Sequence, residues 1–174
     1  MDLRYPIGKF QAPGSITPSL RAGWIDDIAA APARFREAAR GLDDAQLDTP
    51  YRPGGWTVRQ VIHHVPDSHM NSYIRFRLAL TEHEPSIKPY DEVKWAELHD
   101  ACKAPIDISL QLLEALHLRW VSLLGSLSET DFARKFHHPE NGVQRLDETL
   151  AAYAWHGKHH AAHIIALRER MGWK

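Results

Sequence analysis

Four histidines fall within eight residues in the stretch Ala154-Trp155-His156-Gly157-Lys158-His159-His160-Ala161-Ala162-His163. Apolar residues recur around this stretch at helical spacing, which predicts that it lies inside a long helix. Residues four apart lie one above the other on a helix, so His156 and His160 can aim their imidazoles at one point. The spacing therefore indicates half of a metal site on one rigid element.

The apolar face of this helix separates two histidine pairs of the same spacing. Wound at about 100 degrees per residue, the helix carries one apolar side, whose members are Leu150, Tyr153, Gly157, Ile164 and Met171. His160 falls on that side and His156 on its shoulder. His159 points almost the opposite way, and His163 lies further round the flank, so the inward pair is predicted to be His156 and His160.

Gly157 stands between these two histidines. A glycine inside a helix costs about 1 kcal/mol relative to alanine. Its presence indicates either a pocket or neighbour that needs the space, or a tight helix crossing without a pocket.

The composition excludes several classes of protein. The 174 residues are 44% hydrophobic and 25% charged, which is typical of one globular domain spanning residues 1–174. A formal net charge of −1, without a dense block of Lys or Arg, argues against nucleic acid as a partner. The single cysteine, Cys102, excludes an intrachain disulfide and a Cys-rich zinc site, so a metal would rest on His, Asp or Glu.

The N-terminal residues suggest neither secretion nor a membrane. Residues 1–6 lack the pattern of a signal peptide, and no run approaches the ~18 apolar residues of a membrane span, so we expect a cytoplasmic protein. Residues 1–18 are rich in proline and glycine and are predicted to form an extended N-terminal arm that wraps the body.

Periodicity predicts four long helices, at about residues 19–41, 57–81, 106–124 and 147–172. Pro32 is expected to kink or restart the first helix, Gly41 to end it, Thr57 to cap the second, and Asp147 or Thr149 to cap the fourth.

The long connections are predicted as loops. Residues 82–105 include a short helical piece, residues 92–98, anchored by Trp95 and followed by Cys102 in a loop, and this connection could cover one end of the site. In residues 125–146, His137 and His138 are expected to be exposed. With no strand-like alternation, the sequence predicts an all-α four-helix bundle with long connecting loops.

The second helix carries His63, His64 and His69. Pro66 removes a backbone hydrogen bond and shifts the helical phase, so periodicity alone cannot say whether His63 or His64 turns inward. His69 is expected to be solvated or to support another residue, and His117 of the third helix is interpreted as structural.

Two segments resemble the DinB superfamily, and within it the YfiT-like branch of metal-dependent hydrolases and bacillithiol-type thiol S-transferases. They are residues 55–71, which read GWTVRQVIHHVPDSHMN, and residues 153–163, which read YAWHGKHHAAH. Shorter matches at residues 5–10, 88–92 and 104–107 extend the resemblance over nearly the whole chain.

The resemblance implies a divalent metal, one per chain, held by three histidines. The family interval from tryptophan to the first ligand matches Trp56 to His64, and the other two ligands fall on His156 and His160. Zinc is the expected metal and nickel the alternative. The resemblance also implies a homodimer and a small-molecule substrate, which for the transferases includes a low-molecular-weight thiol.

Three imidazoles without a fourth protein ligand form an open site of the catalytic kind. We therefore expect a metal-dependent hydrolase or thiol S-transferase that activates water or a thiol. A general base is not identified; Asp67 and Asp91 are candidates only because they lie near the motifs. The alternative is a non-catalytic, metal-stabilised bundle that binds a ligand or partner, and a fourth protein ligand such as His163 would favour it.

Overall fold

Four long helices make up most of the structure, a computed structural model that describes residues 2–173. In chain order the elements are α1 (Pro18–Ala39), α2 (Asp44–Leu47), α3 (Val58–Thr81), α4 (Glu92–Ala96), α5 (His99–Lys103), α6 (Ile106–Gly125), α7 (Glu129–Phe132), β1 (Lys135–His138), β2 (Gly142–Arg145) and α8 (Leu146–Met171). The predicted four-helix bundle is confirmed, with α1, α3, α6 and α8 as its members.

The connectivity of the bundle differs from a simple series of hairpins. Helix α1 packs against α6 and α8, and α3 packs against the same two helices. The consecutive long helices α1 and α3 therefore stand at opposite corners, as do α6 and α8. The long connections between them give the chain enough length to cross the end of the bundle.

Local signals in the sequence set several helix ends. The Thr57 hydroxyl accepts a hydrogen bond from the Gln60 backbone N–H at 3.1 Å, and the Gln60 side chain accepts one from the Thr57 N–H at 2.9 Å. This capping box fixes the start of α3 as predicted. Gly41 and Gly172 adopt φ angles of 73° and 66° just beyond α1 and α8, a conformation that glycine enters without strain. Helix α1 continues through Pro32 and does not restart there.

The start of α8 was predicted incorrectly. The helix begins at Leu146 with Arg145 as its N-cap, so Asp147 and Thr149 lie inside it. The buried Asp147 carboxylate pairs with the Arg145 guanidinium at 2.7 Å, and the Thr149 hydroxyl donates to the Arg145 carbonyl at 2.8 Å. Both Asp147 and Thr149, which were predicted as caps, instead bond to Arg145, the residue before the helix.

The segment predicted as a loop before α8 contains α7 and a small hairpin. Strands β1 and β2 pair in antiparallel register, with Lys135 opposite Arg145. The expectation of no strands was wrong because a strand of four residues is too short to show a clear alternation. His138 is buried, contrary to prediction, because it lies on the same side of β1 as the buried Phe136, whereas His137 is exposed as expected.

The connection between α3 and α6 also holds more helix than predicted. Cys102 lies in α5 and not in a loop. Trp95 is 37% exposed and packs against Tyr90 at a ring-centroid distance of 4.6 Å, so it is a surface contact and not a buried anchor. Throughout residues 2–173, no helix combines the length and apolar character needed to span a bilayer.

A layer of histidines separates two apolar clusters along the bundle. One cluster contains Phe35, Val61, Leu113 and Ile164, and the other contains Ile28, Phe76, Trp120 and Leu150. The histidines that fall between these clusters on α3, α6 and α8 include His69, His117, His156 and His160. His64 joins these four through ring contacts with His156 and His160, and we call the five residues the histidine layer. The core of the bundle is therefore interrupted by polar rings at its middle.

Gly157 lies where α8 approaches α1 beside the histidine layer. A Cβ atom at this position would lie 3.5 Å from the Ala31 Cβ and 3.7 Å from the His69 Cε1, which are ordinary van der Waals distances. The neighbours predicted from the sequence are present, but they leave room for one methyl group.

We therefore expect Gly157→Ala to raise the free energy of unfolding by up to about 1 kcal/mol, because alanine favours the helix. Gly157→Leu should lower it by about 1 to 3 kcal/mol, because a larger side chain must displace Ala31 or His69. Urea unfolding measures both. Gly23→Ala is the matched control, since no atom lies within 4 Å of a Cβ at that helical glycine. If Gly157→Ala lost stability and Gly23→Ala did not, the result would contradict the room for a methyl group beside Ala31 and His69.

Candidate metal centre

Three histidines from two helices converge at the centre of the bundle. His64 of α3 and His156 and His160 of α8 each offer a ring nitrogen, and these atoms all lie within 4.8 Å of one another. The ring centroids are 4.4 Å apart for the α8 pair and 4.9 and 5.4 Å apart for the pairs that include His64. In the part of the chain that the structure describes, no other group of three or more His, Cys, Asp or Glu side chains meets this distance.

The two helices present these rings for local reasons. The i,i+4 spacing places His156 and His160 on one side of α8, and the capping box at Thr57 sets where α3 begins and hence where His64 lies. Trp56 packs against His64 at a centroid distance of 4.6 Å. It stacks on His160 at 6.5 Å and so joins the two helices on one side of the cluster.

The open question between His63 and His64 has a clear geometric answer. His63 turns away from the cluster: its Nδ1 lies 2.7 Å from the Ser109 hydroxyl, and its Nε2 lies 3.1 Å from the Ala104 carbonyl. His64 turns towards the α8 pair. The structure thus brings together the three residues that the resemblance implied.

Burial keeps the cluster neutral. It lowers the pKa of His64 to about 4 and takes the pKa values of His156 and His160 well below the ordinary range, with further lowering from neighbouring imidazoles. A neutral imidazole is the form that ligates a metal. The Nδ1 of His160 is buried without a hydrogen-bond partner among the described residues, as are those of His159 and His163, so no other side chain competes with a metal for this nitrogen. These neutral nitrogen donors fit a late transition metal.

A cavity of about 520 Å³ opens onto the cluster. Its walls include Trp56 and Trp155, and two arginines, Arg4 and Arg52, also line it. Glu92 supplies the one carboxylate among the described lining residues. The sequence analysis missed Glu92 as a site residue, although the long connection in which it lies was expected to cover one end of the site.

Comparison with known proteins agrees with this geometry. A model of the DinB superfamily matches residues 27–164. The chain belongs to the DinB superfamily. A relative from Bacillus mycoides, named as a presumed metal-dependent hydrolase, is 58% identical over 172 residues, which are 99% of each chain. A Bacillus anthracis relative with the same kind of name is 57% identical over the same share of both chains.

Two solved structures have a similar fold. YfiT from Bacillus subtilis, described as a probable metal-dependent hydrolase with an unusual four-helix bundle topology, is 49% identical, with a TM-score of 0.97 over 100% of both chains. TT2238, a four-helix bundle protein, is 21% identical with a TM-score of 0.57 over 86% of this chain and 98% of that one, and supports the fold alone. The resemblance inferred from the sequence is confirmed.

The second histidine pair of α8 lies in a different environment from the one predicted for this DinB chain. His159 and His163 are buried, not turned to solvent, because the N-terminal arm packs over them. The Tyr5 ring lies 5.8 Å from that of His159, and the His163 Nε2 donates to the Arg4 carbonyl at 3.1 Å. Helical periodicity did not predict the burial of His159 and His163, because it describes one helix and not the segments that pack over it. At the end of the same helix Met171 is exposed.

The remaining histidines and carboxylates can be placed in the DinB bundle. His69 and His117 are buried behind His156, with the His69 Nε2 at 3.1 Å from the His156 Nδ1. Asp67 lies outside the lining of the metal cavity, and burial raises the pKa of its carboxyl group to about 6. The exposed Asp91 caps α4 by accepting a hydrogen bond from the Lys94 N–H at 3.0 Å. Neither carboxylate contacts the cluster as the predicted base would.

We expect the metal-free protein to lose stability as the pH falls from about 6.5 to about 4. In this window the unfolded chain binds protons at His64 and His117, whose folded-state pKa values are about 4, so protonation favours unfolding. Each ring contributes at most about 3 kcal/mol to the decline. Urea unfolding in the presence of a chelator measures the free energy of unfolding across this pH range. A constant value would contradict the neutral state of these rings.

Proposed function

We propose that the protein is a metal-dependent hydrolase whose divalent ion is held by His64, His156 and His160. The observation that carries the proposal is the meeting of three neutral imidazoles, with ligand atoms within 4.8 Å, at a cavity of about 520 Å³. The names of the relatives support it. Zinc is our proposed metal and nickel the alternative, since both accept imidazole ligands.

An ion bound in this way supplies a Lewis acid that makes water or a thiol acidic near neutral pH. The chain's own side chains then hold the reactants. Trp56 and Trp155 form apolar walls that exclude water, and Arg4 and Arg52 can bind a negatively charged part of a small molecule. Glu92 can accept the proton that water or a thiol must lose, because it is the carboxylate of the described lining.

An open coordination position distinguishes this proposal from a purely structural metal site. The fourth ligand that would close the site, His163, is not part of the group of three. Its Nε2 is used by the Arg4 carbonyl. This arrangement supports a site in which water or substrate completes the coordination.

Thiol S-transfer is a second candidate, and a specific feature favours it. A neighbouring cavity of about 600 Å³, lined by Ser68, Tyr90 and Tyr153, also includes Glu92 in its lining. Two cavities that share a wall residue can hold two small molecules, which transfer requires, whereas hydrolysis requires one small molecule and water. In transfer the thiol sulfur bonds to a carbon, the leaving group departs with its electron pair, and the thiol proton passes to Glu92.

Elemental mass spectrometry on untagged protein tests the metal site. We expect about one transition-metal ion per chain in the wild type and a loss of it in His64→Gln and His160→Gln, because two imidazoles hold a divalent ion far more weakly than three. His63→Gln is the matched control, since that ring lies on the same helix and faces Ser109. The assignment of the ligands would be contradicted if the wild type held no metal. It would also be contradicted if His64→Gln and His160→Gln held as much metal as the control His63→Gln.

Glu92→Gln tests the reaction. We expect it to lower kcat by about 100-fold or more while the metal content stays unchanged, because general-base catalysis contributes at least that factor. Glu97→Gln, an exposed change just past the end of the same short helix, is the control. Hydrolysis is followed on a panel of small esters and amides, and transfer by the loss of a small thiol in the presence of a chromogenic alkyl halide. Bound metal without turnover in either assay would favour the non-catalytic bundle.

A further inference from the structure

A missing helical hydrogen bond in α1 leaves a carbonyl free beside the histidine layer. In a helix the carbonyl of residue 28 would accept from the N–H of residue 32, but Pro32 has no N–H. The His117 Nδ1, from α6, lies 2.6 Å from this Ile28 carbonyl oxygen. Because a carbonyl oxygen can only accept, the hydrogen of the neutral His117 ring must be on Nδ1.

This assignment propagates through two more rings. With its hydrogen on Nδ1, His117 presents an acceptor at Nε2, which lies 2.9 Å from the His69 Nδ1. His69 must therefore donate from Nδ1, which leaves its Nε2 as an acceptor. That atom lies 3.1 Å from the His156 Nδ1, so His156 also donates from Nδ1. Each ring is neutral, in keeping with the burial that lowers the pKa values of all three.

The end of this sequence of hydrogen bonds is a ring with one free nitrogen. His156 has its hydrogen on Nδ1, so its Nε2 keeps an unshared electron pair. The other tautomer of His156 would carry a hydrogen on Nε2 and could not ligate through it. His69 disfavours that tautomer, because its own acceptor nitrogen would then face another acceptor.

We propose that Pro32, His117 and His69 form a positioning relay that fixes the tautomer and orientation of the metal ligand His156. The role in metal binding rests on the proposed function, whereas the tautomers exist whether or not a metal binds. The relay residues are positioning residues and not catalytic ones, since they act through His156. Side chains that orient a ligating imidazole in this way typically change metal affinity by 10- to 100-fold when removed.

The first test reads the tautomers directly in the metal-free protein. Long-range nitrogen–proton NMR correlations of isotope-labelled histidine distinguish a hydrogen on Nδ1 from one on Nε2, and single His→Gln variants assign the signals. We expect a hydrogen on Nδ1 in His69, His117 and His156. A hydrogen on Nε2 in His117 or His156 would overturn the relay, whatever the metal content of the protein.

The second test measures zinc affinity by competition with a chromogenic chelator. We expect His69→Phe to bind zinc about 10- to 100-fold more weakly than the wild type. His69→Gln should recover part of the loss, because its amide oxygen can accept from His156. His63→Gln is the control, a buried ring of the same helix that bonds to Ser109 and Ala104 and lies outside the relay.

The outcomes of the zinc test separate two failures. Wild-type affinity in His69→Phe would overturn the relay while leaving the metal site intact. Absence of zinc binding in the wild type would overturn the proposed function, and the NMR experiment would then decide the tautomers by itself.

Pro32→Ala separates positioning from a merely structural role. The new N–H at position 32 competes with His117 for the Ile28 carbonyl, and alanine favours the helix more than proline does. We therefore expect a thermal midpoint equal to or above that of the wild type, together with zinc binding weakened by about threefold or more, part of the range for an orienting partner. Unchanged zinc affinity would remove Pro32 from the relay, whereas a lower midpoint with unchanged affinity would show a structural role alone.

Discussion

The five imidazoles of the histidine layer interrupt an apolar core, and the need to keep them neutral and partnered constrains the rest of the bundle. A buried polar atom without a partner costs about 1 to 3 kcal/mol, and a buried charge costs more. His117, His69 and His156 meet this need by bonding in series to a carbonyl that α1 leaves free. All four long helices must therefore keep their relative positions for the layer to be stable.

The same constraint links folding to metal binding. The described contacts include no hydrogen bond to the ring nitrogens of His64, and the buried Nδ1 of His160 has no partner there either. The His160 Nδ1 was removed from water without a replacement partner, so its burial lowers the stability of the metal-free bundle. A ligand that binds only the folded state offsets such a cost by mass action, and a divalent ion at three imidazoles is a ligand of that kind. The histidine layer thus lowers the stability of the metal-free bundle, but it provides imidazoles that a metal can bind.

How much the sequence could predict depends on whether the signal was local. The Thr57 cap of α3, the glycine after α1 and the inward pair on α8 follow from interactions within a few residues, and all were predicted from the sequence. The inward turn of His64 required the resemblance, because Pro66 obscures the phase of α3. The hairpin was missed because its strands are short, and Asp147 was mistaken for a cap because Arg145 binds it from outside the helix. The link from Pro32 to His117 joins residues 85 positions apart and has no local signature.

The N-terminal arm and nearby aromatic rings explain why one of the two histidine pairs of α8, and not both, joins His64 in the proposed metal site. Tyr51 stacks on His163 at 4.1 Å, and Trp155 stacks on His159 at 4.3 Å, so aromatic rings cover the second pair. The His163 Nε2 donates a hydrogen bond to the Arg4 carbonyl, so this nitrogen carries a hydrogen and has no lone pair for a metal. Helical spacing alone would let either pair of α8 ligate. The arm and the aromatic rings cover one pair, the proposed relay through His69 orients the other, and the proposed metal site faces a cavity of about 520 Å³.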